Sequence, residues 1–485
     1  MKKIFFFAAL SATVLCGCTQ GDCAPEPCGP VPSERQLQWH ETSFYAFVHF
    51  TTNTFTDLEW GRGDASPDIF CPDSLDCRQW CRVIRDAGMK GVVITAKHHD
   101  GFCLWPSDLT DYSVANSSWR DGKGDVVGEL AAAAAEYGLK FGVYLSPWDR
   151  HDLRYGTPAY IDYYRGQLRE LLTRYGPVFE VWQDGANGGD GWYGGLNEER
   201  RVDKRVYYGW PQTDALIHEL QPDACIFSDG GPDCRWCGNE KGFVGETNWC
   251  TIAGADFAPG IADTDILNSG DPEGTDWIPA EVDVSVRPGW FWHESENDRV
   301  KSAEQLLDIW YSSVGRGANL ILNLSPNNHG KLEETDVASL RGLGEALKSE
   351  FSSSLNGNVK KVEASSSRRG RAYRPANVLD GDNRTFWIAE PDAEQASLTL
   401  QFDSPCAVDR VTIREYLPLG QRVSSFSIEI LSEDGIWEEV AAGTTIGNMR
   451  ALRFEPRNAA AVRLGILSSK ASPAISGFSV YKSGI

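Results

Sequence analysis

Eight short apolar segments recur along the first two thirds of the chain, and this pattern constrains the fold more than any other feature. The segments are FYAFVHF (44–50), GVVITA (91–96), KFGVYLS (140–146), VFEVW (178–182), ACIFS (224–228), FVGET (243–247), GWFWH (289–293) and NLILNL (319–324). Their apolar runs are nearly continuous, which is typical of strands buried on both faces, and amphipathic helical stretches separate most of them. They predict an α/β fold, a (β/α)8-like barrel over residues 34–350. Residues 225–249 leave little room for a helix, so a barrel that lacks one helix at this place is the alternative to a complete ring of helices.

The last part of the chain has a different pattern. Residues 351–485 contain short segments in which apolar and polar residues alternate, such as SLTLQF, DRVTIREY, SFSIEIL and AVRLGIL. Alternation with a period of two is typical of antiparallel strands that turn one face to a core. We therefore predict an all-β sandwich as a separate domain after the barrel.

The N-terminus predicts export from the cytoplasm. Residues 1–18 contain two lysines, a short apolar core and the sequence Leu15-Cys16-Gly17-Cys18, which resembles a bacterial lipobox. Cys18 would then carry a lipid anchor in the periplasm or at the outer surface of a bacterial cell, and an ordinary signal peptide with a chance cysteine is the alternative. Residues 19–33 are rich in proline and predict a linker.

Eleven cysteines follow Cys18, so at least one of them is expected to remain unpaired. Three close pairs would permit disulfide bonds in an oxidising compartment, although the sequence does not specify the pairing. These pairs are Cys23 with Cys28, Cys77 with Cys81, and Cys234 with Cys237. The last pair also has the spacing of half a zinc site, but no second half lies nearby and zinc is not expected.

Charge and aromatic content narrow the class of ligand. A formal net charge of -22 argues against nucleic acid as a partner, because no basic surface is available to neutralise phosphates. The chain contains 17 Trp, 16 Tyr and 21 Phe residues, which suits a protein that stacks flat rings against its ligand. The oligomeric state is left open by the sequence.

Polar residues follow the predicted barrel strands, at the end where the active sites of such barrels lie. These strand-end residues are His49, His98, His99, Ser146, Trp148, Asp184, Asp229, Glu246, His293 and Asn323. A single histidine at a strand end is often structural, whereas several polar groups from separate strands indicate a site. Nearby tryptophans are candidates for stacking against a sugar ring, with packing in the barrel wall as the alternative. They are Trp60, Trp148, Trp182, Trp290 and Trp292.

Other chemistries fit these residues less well. His98 and His99 are adjacent, and neighbouring strand residues point to opposite faces, so the two would share a metal only if the strand had already ended. The glycine-rich turn DGANGGDG lacks the lysine of a P-loop, and the chain shows no G-x-S-x-G serine elbow. Carboxylate chemistry on a sugar is the favoured interpretation.

Five motifs, in order along the chain, resemble the α-L-fucosidases of glycoside hydrolase family 29. They are HFTTNTFTDLEWG, AKHHDGFCLWPSDLTDYSV, GVYLSPWDR, EVWQDGANG and RGANLILNLSPNNHG, and the resemblance covers residues 34–345. KHHDGFCLWPS, YLSPWDR and WCGNEKG resemble the branch of this family that acts on α-1,3- and α-1,4-linked fucose of Lewis-type oligosaccharides. The partners that the resemblance implies are fucosylated oligosaccharides or glycoproteins.

The resemblance also implies functions for single residues. It makes Asp184, at the end of the fourth strand, the nucleophile. The residues it places around a terminal fucose are His49, Glu59, Trp60, His98, His99 and Tyr144, with Trp148 at the edge. It nominates Glu240 in RWCGNE as the general acid/base, with Glu246 in GETNW as the rival. A loop above the pocket suits an acid that must reach the glycosidic oxygen, which favours Glu240.

The implied mechanism is a retaining double displacement that needs no cofactor. Asp184 would attack the anomeric carbon, while Glu240 would protonate the leaving oxygen and then deprotonate water. In retaining enzymes the two carboxyl groups stand about 5 to 5.5 Å apart. Two alternatives remain: a catalytically weak, fucose-binding surface lectin on the same fold, and a retaining glycosidase for another sugar.

The motif PANVLDGDNRTFW in the last domain resembles discoidin-like, F5/8 type C modules, which occur as carbohydrate-binding domains. This resemblance implies a structural calcium ion at the DGD turn, with Asp380, Asp382 and Thr385 as candidate ligands. Sugar binding and simple support of the barrel are equally compatible with the sequence.

Overall fold

The computed structural model describes residues 24–483. The predicted signal peptide and the lipid anchor at Cys18 lie outside the described residues. Within the described range, no helix combines the length and the apolar character that crossing a membrane requires. Residues 24–33, at the end of the predicted linker, have no regular secondary structure, and the Cys28 NH donates to the carbonyl of Leu419 in the last domain at 2.9 Å.

Eight parallel strands close into a barrel in the first part of the chain. The strands are β1 Phe44–Val48, β2 Gly91–Lys97, β3 Lys140–Leu145, β4 Glu180–Trp182, β5 Cys225–Ser228, β6 Cys234–Trp236, β7 Ala280–Ser285 and β8 Asn319–Leu324. Each strand pairs with its neighbour in this order, and β8 pairs in parallel with β1 to close the ring. The predicted α/β barrel is therefore confirmed.

The described residues contain nine α-helices. They are α1 Glu34–Thr42, α2 Thr52–Thr56, α3 Cys77–Asp86, α4 Val126–Tyr137, α5 Pro158–Arg174, α6 Trp210–Leu220, α7 Thr264–Ser269, α8 Ala303–Ser312 and α9 Glu334–Phe351. Side-chain caps begin several of them: Asp76 accepts from the Gln79 NH at 2.9 Å, and Asp125 from the Gly128 NH at 2.8 Å. Residues 229–233 connect β5 to β6 without a helix, where the sequence left no room for one.

Two of the eight predicted strands were wrong. The sixth strand is Cys234–Trp236 and not 243–247, and the seventh is Ala280–Ser285 and not 289–293. The stretch 243–247 is a loop beside the last domain, and the stretch 289–293 is a loop at the carboxyl end of β7. The sixth strand is only three residues long, which is too short to show a pattern.

The seventh strand was missed because its sequence, AEVDVS, carries two buried acids. Glu281 and Asp283 face the barrel interior, where indole donors satisfy them. The Trp182 Nε1 donates to Glu281 at 2.9 Å, and the Trp236 Nε1 donates to Asp283 at 2.9 Å. Because a buried acid with hydrogen-bond donors is tolerated in a barrel core, the strand does not need the continuous apolar run that its neighbours have.

The last domain is an antiparallel β structure with a core of its own. Its strands are β9 Val359–Ala364, β10 Trp387–Ile388, β11 Ala396–Glu415, β12 Val423–Leu431, β13 Trp437–Gly443, β14 Arg450–Ser469 and β15 Ala474–Tyr481. The sheet order is β10-β15-β11-β14-β12-β13, with β9 on β11. SLTLQF and DRVTIREY are two halves of β11, whose pairing with β14 is interrupted between Gln401 and Cys406. The predicted fold class is confirmed for this domain too.

Buried polar contacts join the barrel to the last domain. The Gln421 side chain accepts from the Cys250 NH at 2.7 Å and donates to the Asn248 carbonyl at 3.0 Å. The Arg410 guanidinium reaches Glu350 at the end of α9, with one N–O distance of 3.1 Å. These contacts are specific and largely shielded from water, so we expect the last domain to stabilise the barrel.

The described cysteines, from Cys28 to Cys406, are all free thiols. The close pairs Cys77 with Cys81 and Cys234 with Cys237 are therefore not bridged. Most of these thiols are buried, and burial raises the pKa of Cys81 to about 12. Such thiols behave as small apolar core side chains.

Candidate active site

A cavity of about 410 Å³ opens at the carboxyl ends of the barrel strands. Its lining residues are Phe47, His49, Trp60, His98, His99, Trp182, Asp184, Gly185, Ala186, Phe227, Asp229, Trp236, Glu240, Asp283 and Trp290. Eight of these were predicted from the sequence as site residues: His49, Trp60, His98, His99, Trp182, Asp184, Glu240 and Trp290. Three further predicted residues, Glu59, Tyr144 and Trp148, lie behind this lining and contact it.

Asp184 lies just after β4, where the chain leaves the barrel wall. Its Oδ2 accepts from the Tyr144 hydroxyl at 3.0 Å, and its Oδ1 accepts from the Ala186 NH at 2.6 Å. Burial raises the pKa of Asp184, while these two hydrogen bonds and the charge of Lys204 act to lower it. The carboxylate is thus held in one orientation by fixed donors, with 23% of its side chain exposed toward the cavity.

Three neutral histidines line the cavity together with this carboxylate. Burial lowers the pKa of His49 and of His99 to about 3, and it lowers that of His98 well below its ordinary value. Neutral imidazoles offer one donor and one acceptor each, which suits the hydroxyl groups of a sugar. His98 and His99 lie side by side, with ring centroids 4.1 Å apart.

The hydrogen-bond network defines the tautomer of His99. The Ser146 hydroxyl donates to the Trp148 carbonyl at 2.6 Å, so its oxygen accepts the proton of His99 Nδ1 at 2.7 Å. The Nε2 atom of neutral His99 therefore carries the lone pair, and it lies 3.7 Å from Asp184 Oδ2. This atom is positioned to accept a hydrogen bond from a ligand hydroxyl beside the carboxylate.

Aromatic side chains form the rest of the wall. Trp182 stacks on Phe227 with ring centroids 4.0 Å apart and planes at 9°. Trp60 lines the cavity and is 52% exposed, and the Trp148 ring meets it edge-on with centroids 5.7 Å apart. Trp148 is only 3% exposed, so it supports the wall and does not form the edge of the pocket that the sequence predicted. Trp290 lines the cavity, whereas Trp292 does not.

Glu240 reaches the cavity from the loop after β6. Its Oε2 accepts from the Trp290 indole at 3.3 Å. Burial raises the pKa of Glu240; the Trp290 hydrogen bond lowers it, and the charges of Asp184 and Glu59 raise it further. A carboxyl group with a raised pKa is suited to donate a proton near neutral pH.

Glu246, the rival for the same role, does not line the cavity. It pairs with Arg316 and with Arg450 of the last domain, where the distance from its Oε2 to Arg450 Nη2 is 2.6 Å. Its position at the junction of the two domains explains why the chain has a carboxylate at this point, and no chemical role is needed to explain it.

We therefore expect Glu246→Gln to affect stability and not chemistry. Arg450 is 3% exposed at its side chain and would lose a charged partner, whereas Glu246 is 65% exposed, so a loss of about 1 kcal/mol is reasonable. The melting temperature should fall by about 1 to 3 °C at unchanged kcat. Glu240→Gln is the matched control, with the reverse pattern. A large loss of kcat in Glu246→Gln would contradict this assignment.

Sequence reasoning did not assign roles to two acids of the cavity. Asp229 follows β5; burial and then the neighbouring charge of Asp184 raise its pKa to about 6, against the hydrogen bond from the Gly260 NH at 2.6 Å. Its position at the end of a predicted strand is the sequence feature that could have identified Asp229 as a site residue. Asp283 lies inside β7, and burial raises its pKa well above the ordinary value. The alternation of apolar and polar residues in AEVDVS is the one sequence feature that could have indicated Asp283.

Among the described residues, no three histidine, cysteine, aspartate or glutamate ligand atoms of the cavity lie close enough together to share a metal ion. Among residues 24–483, the one group of metal-type ligands close enough to share an ion is Glu180, Cys234 and Glu281, on the barrel strands below the cavity. The predicted calcium ligands do meet at one turn of the last domain, where the Thr385 hydroxyl donates to Asp380 at 2.6 Å. They fit a cation poorly, because the Arg384 guanidinium already holds Asp382 through two contacts of 2.9 Å.

Comparisons with known proteins identify the family of each domain. Residues 31–350 match the family described as α-L-fucosidase, and residues 361–478 match the F5/8 type C domain. α-L-Fucosidase 1 of Arabidopsis thaliana is 44% identical over 488 residues, which cover 98% of this chain and 92% of that protein.

Two solved structures extend the likeness to three dimensions. One, of a glycoside hydrolase 29 family member from an unknown rumen bacterium, is 42% identical with a TM-score of 0.83 and covers 95% of this chain and 78% of that chain. The other, of a Ruminococcus gnavus glycoside hydrolase 29 fucosidase in complex with fucose, is 29% identical with a TM-score of 0.83. It covers 96% of this chain and 97% of the other.

Proposed function

Because the chain belongs to the α-L-fucosidase family of glycoside hydrolases, we propose that it is a retaining exo-enzyme that releases terminal α-1,3- and α-1,4-linked L-fucose from Lewis-type oligosaccharides or glycoconjugates. The observation that carries this proposal is the meeting of two carboxyl groups from separate strand ends, Asp184 and Glu240, in one cavity. One is fixed by hydrogen-bond donors, and the other has a raised pKa.

The two carboxyl groups divide the chemistry between them. Asp184 attacks the anomeric carbon as the glycosidic bond breaks, while Glu240 gives its proton to the leaving oxygen. Water then attacks the anomeric carbon of the fucosyl ester while Glu240 takes one of the water protons, and Asp184 leaves as a carboxylate. Two displacements at the same carbon retain the α configuration.

The cavity wall suits fucose in particular. A 6-deoxy sugar presents a methyl group, and the rings of Phe47, Phe227 and Trp182 offer an apolar surface for it. Three neutral histidines on the same wall offer donors and acceptors for hydroxyl groups. A cavity of about 410 Å³ is compatible with one terminal residue, which favours an exo mode of cleavage. The fucose complex of the Ruminococcus gnavus relative supports this choice of sugar.

The proposal is tested with four substrates: Lewis a, Lewis x, 2'-fucosyllactose and an aryl α-L-fucoside. We expect fucose release from the two Lewis trisaccharides and from the aryl fucoside, and slower release from the α-1,2 linkage. Proton NMR at early times should show the α anomer of fucose first. Release from none of the four would favour the lectin alternative, and initial β-fucose would contradict a retaining mechanism.

A bell-shaped pH profile of kcat/KM is expected on the Lewis trisaccharides. Activity requires an ionised Asp184 and a protonated Glu240, so it falls at low pH when the first carboxylate is protonated and at high pH when the second is deprotonated. Because burial raises the pKa of Glu240, the basic limb should lie above the ordinary pKa of a glutamate. A basic limb at or below that ordinary value would contradict the role of Glu240.

Location and anchoring belong to the same proposal. The sequence of residues 1–18 supports export and a lipid anchor on Cys18, which would keep the enzyme at a bacterial membrane surface. In a bacterial host, Cys18→Ser should move the protein from the membrane fraction to the soluble fraction. A wild-type protein that is already soluble would contradict the anchor.

A further inference from the structure

The loop that follows β7 is bound by a carboxylate from the segment after α2, Glu59. Glu59 accepts from the backbone NH of Trp290 at 2.9 Å and from that of Phe291 at 3.1 Å. Its two oxygens thus hold consecutive backbone donors of the 289–293 loop. Glu59 therefore helps to hold this loop in position.

His293, at the end of the same loop, is held between two carboxylates. Its Nε2 lies 2.7 Å from Glu59 Oε1, and its Nδ1 lies 2.5 Å from Asp57 Oδ1. Carboxylate oxygens are acceptors, so both ring nitrogens must carry a proton, and the ring is an imidazolium. Partial burial lowers its pKa, but the hydrogen bonds and charges of Asp57 and Glu59 raise the pKa above the ordinary value overall.

The same loop reaches the catalytic pair. The Trp290 indole donates to Glu240 Oε2 at 3.3 Å, and the Trp290 carbonyl accepts from Asn323 at 2.8 Å and from Ser325 at 2.7 Å. Trp290 is therefore fixed through its backbone and presents its indole to the carboxyl group that must deliver a proton. A continuous series of contacts runs from His293 through Glu59 and Trp290 to Glu240.

We propose that His293 is a positioning residue for the acid/base: it fixes Glu59 on the backbone of the 289–293 loop, which holds the Trp290 indole on Glu240. This inference rests on the proposed function of Glu240. His293 touches neither the cavity nor Glu240 directly, and it acts only through the two residues between them.

Loss of the contact between the Trp290 indole and Glu240 should raise the pKa of Glu240, because the charges that face Glu240 are negative. Asp184 and Glu59 face Glu240 with negative charge, and the Trp290 indole is the neutral donor that opposes them. Asp283 lies nearby, but burial raises its pKa well above the ordinary value. Losing that donor raises the pKa of Glu240 further. The charged groups against His293 are Asp57, Glu59 and the Arg287 guanidinium, which reaches the His293 carbonyl at 3.5 Å. Loss of the imidazolium leaves Glu59 uncompensated, which acts in the same direction.

The test compares two substrates across pH: a Lewis trisaccharide, whose departure needs a proton, and 2,4-dinitrophenyl α-L-fucoside, whose departure does not. In His293→Gln we expect kcat/KM on the trisaccharide to fall about 10-fold. This is less than the roughly 100-fold that a displacement of about 1 Å can cost, because His293 acts on Glu240 only through Glu59 and Trp290. On the dinitrophenyl fucoside the fall should be less than about 3-fold. The basic limb of the trisaccharide profile should move to higher pH.

Three further variants define the outcome. Trp290→Phe removes the indole donor directly and should move the basic limb in the same direction. Asp57→Asn removes only the exposed partner of His293 and should give the same pattern at smaller size; it decides the question if His293→Gln does not fold. His329→Gln is the matched control, because His329 also pairs with a carboxylate, that of Asp73 at 3.0 Å, but lies outside the cavity lining.

Equal losses on both substrates with an unmoved basic limb would show a merely structural role and overturn the proposal. Unchanged kinetics in both His293→Gln and Asp57→Asn would overturn it as well. A wild-type protein that releases fucose from neither substrate would instead overturn the proposed function, and this inference with it.

Discussion

Replacement of Asp184 by alanine should lower kcat by about 10,000-fold or more while the protein stays folded. The carboxylate forms the covalent bond to fucose in the proposed mechanism, and no neighbouring group can replace it at the same atom. The melting temperature and the affinity for fucose should change little, because the wall of histidines and aromatic rings remains in place. Turnover of an aryl α-L-fucoside and a thermal melt measure the two expectations.

External azide provides the chemical signature of this variant. In Asp184→Ala the small anion can enter the vacated space and attack the anomeric carbon of an activated fucoside, which gives a fucosyl azide of inverted configuration. Asp229→Ala is the matched comparison, since Asp229 lines the same cavity at the end of the next strand. Azide rescue in Asp229→Ala, with full activity in Asp184→Ala, would move the nucleophile to the fifth strand.

Replacement of Glu240 by alanine should reduce cleavage of a Lewis trisaccharide by about 100- to 10,000-fold, the range typical of a lost general acid. Dinitrophenyl α-L-fucoside should react in its first step almost as fast as with the wild type, because dinitrophenolate leaves without a proton. The second step still lacks its base, so an initial burst of dinitrophenol should precede a slow steady state. Stopped-flow absorbance measures the burst.

Glu246→Ala is the control for this leaving-group dependence. In the structure Glu246 binds Arg316 and Arg450, away from the cavity lining, so its loss should lower the melting temperature and leave the ratio of the two substrates unchanged. If Glu246→Ala shows the burst and Glu240→Ala does not, the acid/base is Glu246 and our interpretation of the loop after β6 is wrong.

The sequence predicted six strands with mostly apolar runs and missed two: β6, which is only three residues long, and β7, which turns two acids toward the barrel interior. Segments such as those at β2 and β8 have the continuous apolar runs of buried strands. β7 places Glu281 and Asp283 in the barrel interior, where indole donors from two other strands satisfy them. Those donors come from distant parts of the chain, and no local pattern reveals them.

The site residues also divide into those that could be predicted from the sequence and those that could not. Asp184 and His99 were predictable because each directly follows a strand, and the fold brings strand ends together. Asp283 was not, since it lies within a strand. Trp148 was expected at the pocket edge, but its indole donates to Tyr193 at 2.9 Å and it is buried behind Trp60. Which of two neighbouring aromatic rings faces a ligand depends on loop contacts that sequence spacing does not encode.

The covalent intermediate is the most direct test of the proposed mechanism. Glu240→Ala incubated with dinitrophenyl α-L-fucoside should gain the mass of one fucosyl group, and peptide mapping after acid quenching should place that group on Asp184. Added azide should remove it as a fucosyl azide of retained configuration. A burst without any adduct, or an adduct on another carboxylate such as Asp229, would contradict the assignment of Asp184 as the nucleophile.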